Sequence, residues 1–168
     1  MRPGEILGLK WGQVSDHCLE VLRRVYRGLV DTPKTRRSVR KVGLPPGVVA
    51  ALAFWRSVSK HAGADDWVFP SENPSTPLSR DNLWRRNIQP RLAKVGLGWA
   101  TFQVMRRTYS SLSRVAGADR KVVADQMGHG IGVNLDEYTI ASLDQLAAAT
   151  AKLEVYLLKT AEISTAVM

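Results

Sequence analysis

The sequence predicts a mainly α-helical domain with one small antiparallel β-sheet, an α+β fold. Two observations support this prediction. Segments in which apolar residues recur at helical spacing occupy most of the chain. Strand-like apolar residues concentrate between residues 19 and 44, on both sides of a turn-rich stretch. At 168 residues, the chain fits a single domain, 1–168, that is large enough to bury a core.

The first predicted elements are a short helix and a hairpin. The segment PGEILGLK, residues 3–10, predicts one or two helical turns, because proline suits the first turn of a helix. Apolar residues within 19–26 and 39–44 flank the stretch GLVDTPKT, which is rich in turn formers. This pattern indicates two strands joined by that stretch.

A helix, a loop and a second helix follow. The break Pro45–Pro46–Gly47 precedes a predicted helix at about 48–61, whose apolar face is formed by Val49, Leu52, Ala53 and Trp55. The proline- and serine-rich stretch WVFPSENPSTPLS predicts a loop. After it, Asp81 is the predicted cap of a helix that continues to about Lys94.

Three helices complete the predicted chain. Thr101 or a near neighbour begins the helix that carries Arg106, and a helix at about 120–127 stops at Gly128. From there on, an apolar seam with alternating three- and four-residue spacings predicts an amphipathic C-terminal helix, and its members are Leu143, Leu146, Thr150, Leu153 and Leu157.

The charge balance predicts an anionic partner. Twenty-four Lys and Arg against fifteen Asp and Glu give a net charge of +9 and a pI near 10.1. Nucleic acid is the expected partner rather than a membrane, because no long basic amphipathic face is evident. The longest apolar run, Val48–Trp55, is too short to span a bilayer, and no secretory signal begins the chain, so we expect a cytoplasmic protein.

The residue counts also argue against several kinds of site. One cysteine, Cys18, excludes an intrachain disulfide, and three scattered histidines disfavour a metal site. We therefore predict no metal and no cofactor.

Basic residues concentrate in three regions, at 23–41, 80–94 and 106–114. Each single residue has the alternative reading of a solvated surface charge, but three groups in one small domain favour a nucleic-acid surface. The predicted DNA contacts are Arg36, Arg37, Arg40, Arg85, Arg86 and Arg107.

A second set of residues has the chemistry of a phosphate site. Gln103 and Arg106 are three apart and share a helix face. His129 and Tyr138 are nine apart, which would place them on opposite sides of one unbroken helix. Glycines between 128 and 132 interrupt that helix, so the spacing permits convergence without requiring it.

These residue types suit the cleavage of a phosphodiester. Paired guanidiniums hold its non-bridging oxygens through forked hydrogen bonds, and such donors contribute on the order of a thousandfold in rate each. A tyrosine hydroxyl can attack phosphorus, and a lysine can protonate the leaving oxygen. The chemistry requires no metal.

Six short segments occur in a characteristic order: MRPGEILGLKW, TPKTRRSVRKVGLP, WVFPSENPSTPLS, FQVMRRTYSSL, MGHG and DEYT. They resemble, in turn, the first-arginine motif, the hairpin with the catalytic lysine, the loop after it, the His-x-x-Arg box, the Leu-Gly-His element and the nucleophile segment of one family. The chain thus resembles the catalytic domain of the tyrosine recombinases, the phage integrase family, over nearly its whole length.

The resemblance implies a role for each matching residue. Arg2 and Arg106 would hold the scissile phosphate, and His129 would donate a hydrogen bond to it. Tyr138 would attack to form a 3′-phosphotyrosine, while Lys34 would protonate the 5′-oxygen. A second 5′-hydroxyl would then reverse the step. The structural alternatives are solvated charges for the cations and a packed aromatic for the tyrosine.

Two departures from the family pattern shape the expectations. Gln103 stands where the family usually has histidine, and an amide donates a hydrogen bond but carries no proton. The first arginine is residue 2, so we expect the chain to lack the family's N-terminal DNA-binding domain and first catalytic-domain helices, and to cleave weakly. In the family, the segment after the nucleophile often docks on a neighbouring protomer, so we expect the C-terminal helix to do so on DNA or to pack in cis.

Two other functions compete with strand exchange. One is a catalytically inert, DNA-binding remnant of the same family. The other is a basic RNA-binding or ribosome-associated protein. Covalent trapping on nicked DNA separates the first reading from both, and a preference for duplex DNA over structured RNA separates the remaining two.

Overall fold

Helices surround two small antiparallel β-sheets in the computed structural model, which describes residues 1–32, 39–128 and 143–166. The predicted α+β class, mainly helical with little sheet, is therefore confirmed. The strands form two sheets of two strands each rather than the one predicted.

The first helix is short and leads directly into the core. Helix α1, Pro3–Leu7, begins with a proline as the sequence predicted, and a 3₁₀ turn follows at Trp11–Gln13. The Trp11 backbone N–H donates to the Asp66 carbonyl at 3.0 Å, and Val68 N–H donates to the Leu9 carbonyl at 3.0 Å. These bonds join the start of the chain to Asp66 and to the beginning of the predicted loop.

The strands pair in a nested order. Strand β1, Cys18–Val21, pairs antiparallel with β4, Arg40–Gly43, and between them β2, Arg24–Tyr26, pairs with β3, Leu29–Asp31. The predicted turn GLVDTPKT is partly wrong, because its residues 29–31 form β3. The β2–β3 turn is a two-residue turn at Arg27–Gly28, whose φ angles of 50° and 79° fit the tight hairpin type that matches strand twist.

The main core lies on the β1–β4 sheet. Its buried side chains come from the first segment, the sheet and the start of the loop, and they are Leu9, Trp11, Leu19, Val21, Val42, Leu44 and Val68. A second, smaller cluster of Val122, Leu146 and Ala149 joins two of the later helices.

Helix α2, Pro46–Val58, is shorter than predicted and contacts the core with only part of its predicted face. Val49 and Leu52 pack against the main core, whereas Ala53 is exposed. Trp55 is 40% exposed, but its indole N–H donates to the Val68 carbonyl at 2.7 Å.

The helix predicted at 81–94 is present but interrupted. It runs through three consecutive parts: α3 at Arg80–Leu83, a π-helical turn at Trp84–Ile88 and α4 at Gln89–Lys94. Its cap is Ser79 rather than Asp81, since the Ser79 hydroxyl accepts from the Asn82 backbone N–H. Asp81 instead lies in the first turn, where it pairs with Arg80 at 3.0 Å.

The next two helices have the predicted ends. Helix α5, Phe102–Val115, is capped by Thr101, whose hydroxyl accepts from Val104 N–H at 3.2 Å. Helix α6, Arg120–Met127, ends at Gly128 in the left-handed conformation, with φ 68°. Both ends were predictable because the capping groups lie within a few residues of the helix.

The C-terminal helix α7, Leu143–Ala166, packs in cis along its first half. Leu146, Thr150 and Leu153 are buried, as the seam predicted, but Leu157 is 45% exposed. The helix crosses β4 so closely that a Cβ at Gly43 would lie 2.5 Å from the Ala147 backbone nitrogen. Within the described residues, no helix is both long and apolar enough to cross a membrane.

Candidate active site

Arg2 and Arg106 meet at the carboxyl end of α6. Arg106 Nη2 donates a hydrogen bond to the Met127 carbonyl, and Arg2 Nη2 lies 3.5 Å from the Gly128 carbonyl. The two arginines are 104 positions apart in the sequence, one before α1 and the other on α5. The fold thus brings together the two guanidiniums that the sequence analysis assigned to a phosphate.

The Arg106 guanidinium is only partly satisfied. Its Nη1 is buried and has no hydrogen-bond partner among the described residues. Burial, followed by the charge of Arg2, holds the pKa of Arg106 below its usual value. Two cations held this close favour an anion between them, and the free N–H groups of Nη1 are donors for one of its oxygens.

The carboxylate that pairs with Arg2 and Arg40 in the described structure belongs to Glu5, one turn along α1 from Arg2. Its carboxylate accepts from the Arg2 backbone N–H at 2.7 Å and from Arg2 Nη1 at 3.0 Å. Burial alone would raise the pKa of Glu5, but hydrogen bonds from Arg40 and Arg2 outweigh it and hold that pKa below the usual value. Sequence reasoning missed Glu5, although its i,i+3 spacing from Arg2 was a visible signal.

Arg40, predicted as a DNA contact, lies inside the domain instead. Only 8% of its side chain is exposed, and its Nη2 lies 3.0 Å from the Glu5 carboxylate. It also donates to the carbonyls of Gln126 at 3.3 Å and Met127 at 3.2 Å. Arg40 and Val42 are two positions apart on β4 and share its inward face, while Lys41 between them points outward.

The end of α6 is fixed by further contacts with β4. The Gln126 side-chain amide exchanges two buried hydrogen bonds with the Gly43 backbone, at 2.7 Å and 3.0 Å. A Cβ on Gly128 would lie 2.5 Å from the Arg40 guanidinium, so any larger residue there would displace that guanidinium from its hydrogen bonds. The carbonyls that face the arginines therefore have defined positions.

The other predicted site residues fall into two groups. Gln103, one turn before Arg106 on α5, is exposed, as are Arg85, Arg86 and Arg107. The remaining predicted residues lie outside the described residues, and they are Lys34, Arg36, Arg37, His129 and Tyr138. In sequence, His129 directly follows Gly128.

The described part of the site is a cluster of three guanidiniums around one carboxylate and one helix end. The carboxyl end of a helix carries a partial negative charge, which stabilises cations there. In residues 1–32, 39–128 and 143–166, no group of three or more His, Cys, Asp or Glu side chains is placed to hold a metal ion. What the cluster offers a substrate is fixed positive charge and hydrogen-bond donors.

Comparisons with known proteins identify a family. The model of the phage integrase family matches residues 1–142. A XerC-like tyrosine recombinase of Caldanaerobacter subterraneus subsp. tengcongensis is 25% identical over 166 residues, covering 83% of this chain and 42% of that protein. The ICEBs1 integrase of Bacillus subtilis is 24% identical over 155 residues, covering 82% of this chain and 41% of that protein. The chain thus spans less than half the length of these relatives.

A solved structure has the same fold. The Tn1549 transposon integrase, residues 82–397, in complex with circular intermediate DNA, superposes with a TM-score of 0.59 at 23% identity. The match covers 91% of this chain and 56% of that one.

Proposed function

The chain belongs to the phage integrase family, and on that premise we propose that it cleaves and rejoins DNA strands at a specific site through a 3′-phosphotyrosine intermediate. The proposed partner and substrate is double-stranded DNA. The proposed location of the protein is the cytoplasm, in association with DNA. The observation that carries the proposal is the convergence of Arg2 and Arg106 at the end of α6, with a buried N–H donor of Arg106 left without a partner among the described residues.

The two guanidiniums supply the charge that phosphoryl transfer needs. The transition state spreads negative charge over the non-bridging oxygens, and forked N–H donors stabilise that charge without moving. Arg106 is held on α5 and Arg2 by Glu5, so both are in place before DNA arrives. Preorganisation of this kind lowers the barrier because no donor has to be reoriented.

The covalent steps belong to residues outside the described ranges. The Tyr138 oxygen attacks phosphorus while its proton passes to water, the bond from phosphorus to the 5′-oxygen breaks, and that oxygen takes a proton from Lys34. His129 donates a hydrogen bond to the phosphate. Rejoining runs in reverse: a 5′-hydroxyl of the second DNA attacks the phosphotyrosine, and Tyr138 leaves. The number of phosphodiester bonds is conserved, so no external energy source is needed.

Exposed arginines provide the proposed DNA surface. Arg85 and Arg86 lie on the π-helical turn, and Arg107 lies on α5 next to the site arginine. A π-helical turn is a common mark of functional segments, since it re-aims side chains relative to a regular helix. Arg36 and Arg37 extend the proposed surface from the hairpin.

The second half of α7 carries the proposed contact between protomers on DNA. Leu157 and Leu158 are 45% and 60% exposed, beyond the part of the helix that packs in cis. A second copy of this chain is the proposed occupant of that apolar end. Sedimentation of the chain with and without DNA tests this, with Leu158→Lys expected to abolish any DNA-dependent oligomer.

The central experiment is covalent trapping. Nicked duplexes with a randomised central segment are incubated with the chain, and DNA that stays attached to protein in hot detergent is recovered and sequenced. We expect adducts to disappear in Tyr138→Phe and to persist in Tyr109→Phe and Tyr156→Phe, the matched tyrosine controls. An adduct on the Tyr138→Phe protein would overturn the assignment of the nucleophile.

Trapping, together with a binding competition between duplex DNA and structured RNA, also distinguishes the two alternative functions. A chain that binds duplex DNA but forms no adduct on any substrate is the inert remnant, for which Gln103 in place of a histidine is the supporting observation. A chain that prefers structured RNA in competition is the basic RNA-binding protein.

A further inference from the structure

We infer that Arg40 is a positioning residue that fixes the Arg2–Arg106 pair, through acceptors that it shares with each of them. The assignment of those two arginines to a scissile phosphate rests on the proposed function. The shared acceptors do not depend on the proposed function. The positioning role differs from the DNA-surface role that the sequence alone suggested for Arg40.

The acceptor shared with Arg2 is the Glu5 carboxylate. Arg40 Nη2 donates to Glu5 Oε2 at 3.0 Å, and its Nη1 lies 3.4 Å from Oε1, the oxygen that accepts from Arg2 Nη1 at 3.0 Å. A carboxylate held from one side by a buried guanidinium has little freedom to turn. Its other side therefore presents a fixed oxygen to Arg2, whose own side chain is 49% exposed.

The acceptor shared with Arg106 is the Met127 carbonyl. Arg40 Nη2 donates to that oxygen at 3.2 Å, and Arg106 Nη2 donates to the same oxygen. Arg40 Nε also donates to the Gln126 carbonyl at 3.3 Å, so the last turn of α6 is held to β4 by side-chain bonds. Removal of Arg40 would release both the carboxylate behind Arg2 and the carbonyl behind Arg106.

Burial and location argue that this is the role of Arg40 rather than DNA contact. With 8% of its side chain exposed and a carboxylate against it, its guanidinium cannot reach a phosphate without breaking the network. In sequence it lies between two segments of the proposed chemistry. Lys34 precedes β4 in the sequence, and the end of α6, which Arg40 holds, is followed in the sequence by His129.

The test measures the arginine side chains themselves. The Nη–H resonances of Arg2 and Arg106, the groups that donate to Glu5 and to Met127, are assigned with Arg2→Lys and Arg106→Lys and followed for hydrogen exchange with water in the full 168-residue chain. In Arg40→Gln we expect exchange at both sites to quicken at least about tenfold, because local opening becomes easier. Lys41→Gln is the matched control, since Lys41 is the next residue on the opposite face and, among the described residues, pairs with Glu20 in an exposed bridge of 3.3 Å.

A milder variant keeps the test valid if Arg40→Gln does not fold. Arg40→Lys retains the charge but cannot reach a carboxylate and two carbonyls at once, so we expect the same change, smaller in size. Unchanged exchange at either Arg2 or Arg106 in these variants overturns the inference, whether or not the chain cleaves DNA.

Cleavage supplies the second measurement. If the chain forms the phosphotyrosine, Arg40→Gln should slow adduct formation at saturating DNA by about a hundredfold, the effect of a loosened site. DNA half-saturation should stay unchanged, and Arg40→Lys should recover part of the rate. Weaker binding with a flatter salt dependence and an unchanged saturated rate would make Arg40 a DNA contact and overturn the inference. No adduct from any chain would remove the proposed function, while the exchange result would still decide the role of Arg40.

Discussion

The Glu5 carboxylate and the Arg40 guanidinium form a buried ion pair at 3.0 Å, with 4% and 8% of their side chains exposed. The pair joins α1 to β4, and through shared acceptors it reaches both Arg2 and Arg106. A charge pair placed so deeply matters for stability, because removal of Glu5 takes a carboxylate away from a buried guanidinium.

The loss of Glu5 should therefore cost far more than the loss of a surface carboxylate. Glu5→Ala takes the carboxylate away from the buried Arg40 guanidinium and from Arg2, and we expect a loss of about 3–5 kcal/mol in the free energy of unfolding. Glu20→Ala is the matched control, since Glu20 pairs with Lys41 at the surface, with 42% and 57% of the two side chains exposed. It should cost at most about 1 kcal/mol. Urea unfolding measures both, and equal losses would contradict the buried pair.

The same carboxylate should make stability depend on pH in a defined window. The folded pKa of Glu5 is lowered, so its stabilising effect is complete above the unfolded value of about 4.3 and is lost as pH falls through the folded pKa. We expect the stability gap between wild type and Glu5→Gln to shrink as pH falls below about 4.3, a range in which the Met1 amino group, with a pKa of about 6, is already charged. A gap that grows on acidification would mean that the pKa is shifted upward.

Gly128 should tolerate no side chain. Gly128→Ala combines a φ of 68°, unfavourable for alanine by about 1–2 kcal/mol, with a Cβ only 2.5 Å from the Arg40 guanidinium. Gly117 has a similar φ of 78° but no atom within 4 Å of its added Cβ, so Gly117→Ala should show the backbone cost alone. The difference between the two unfolding free energies isolates the contact with Arg40. If the two variants lose equal stability, Arg40 does not pack against Gly128.

DNA affinity should fall steeply with salt, and the hairpin should contribute to the slope. Each neutralised phosphate adds about −0.9 to the slope of log affinity against log salt. Replacing Arg36 and Arg37 with Gln should therefore make the slope less negative by up to about 1.8. The control removes two charges outside the proposed DNA surface and protomer contact, with Lys60→Gln and Lys152→Gln, both exposed, and should leave the slope unchanged. Equal slopes for wild type and the hairpin variant would take the hairpin out of the interface.

Gln103 should limit the rate of cleavage rather than the binding of DNA. Its amide can donate a hydrogen bond from the face of α5 that carries Arg106, but it cannot exchange a proton at neutral pH. Gln103→His should raise the rate of adduct formation by about a hundredfold if proton transfer is limiting, and Gln103→Ala should lower it. Single-turnover trapping on the selected nicked duplex measures the rates. A histidine variant no faster than wild type would show that position 103 carries no proton in this chain.

Features encoded by neighbouring residues could be predicted from the sequence. The beginning of α5 at Thr101 and the end of α6 at Gly128 depend on hydrogen bonds to backbone groups only a few residues away. The order of the motifs identified the family for the same reason, since each motif is a short run of residues. The assignment of Arg2 and Arg106 to one site came from that resemblance, and the described structure brings the pair together.

Other features could be decided only by the tertiary structure. Nothing in the pattern of 40–43 distinguishes an arginine on the DNA surface from one buried against Glu5, because the difference lies in contacts 35 and 87 positions away. The pairing of β1 with β4 likewise depends on backbone partners 19 to 25 positions away. A charge is buried only where the fold supplies its partner, and that partner comes from a remote part of the chain.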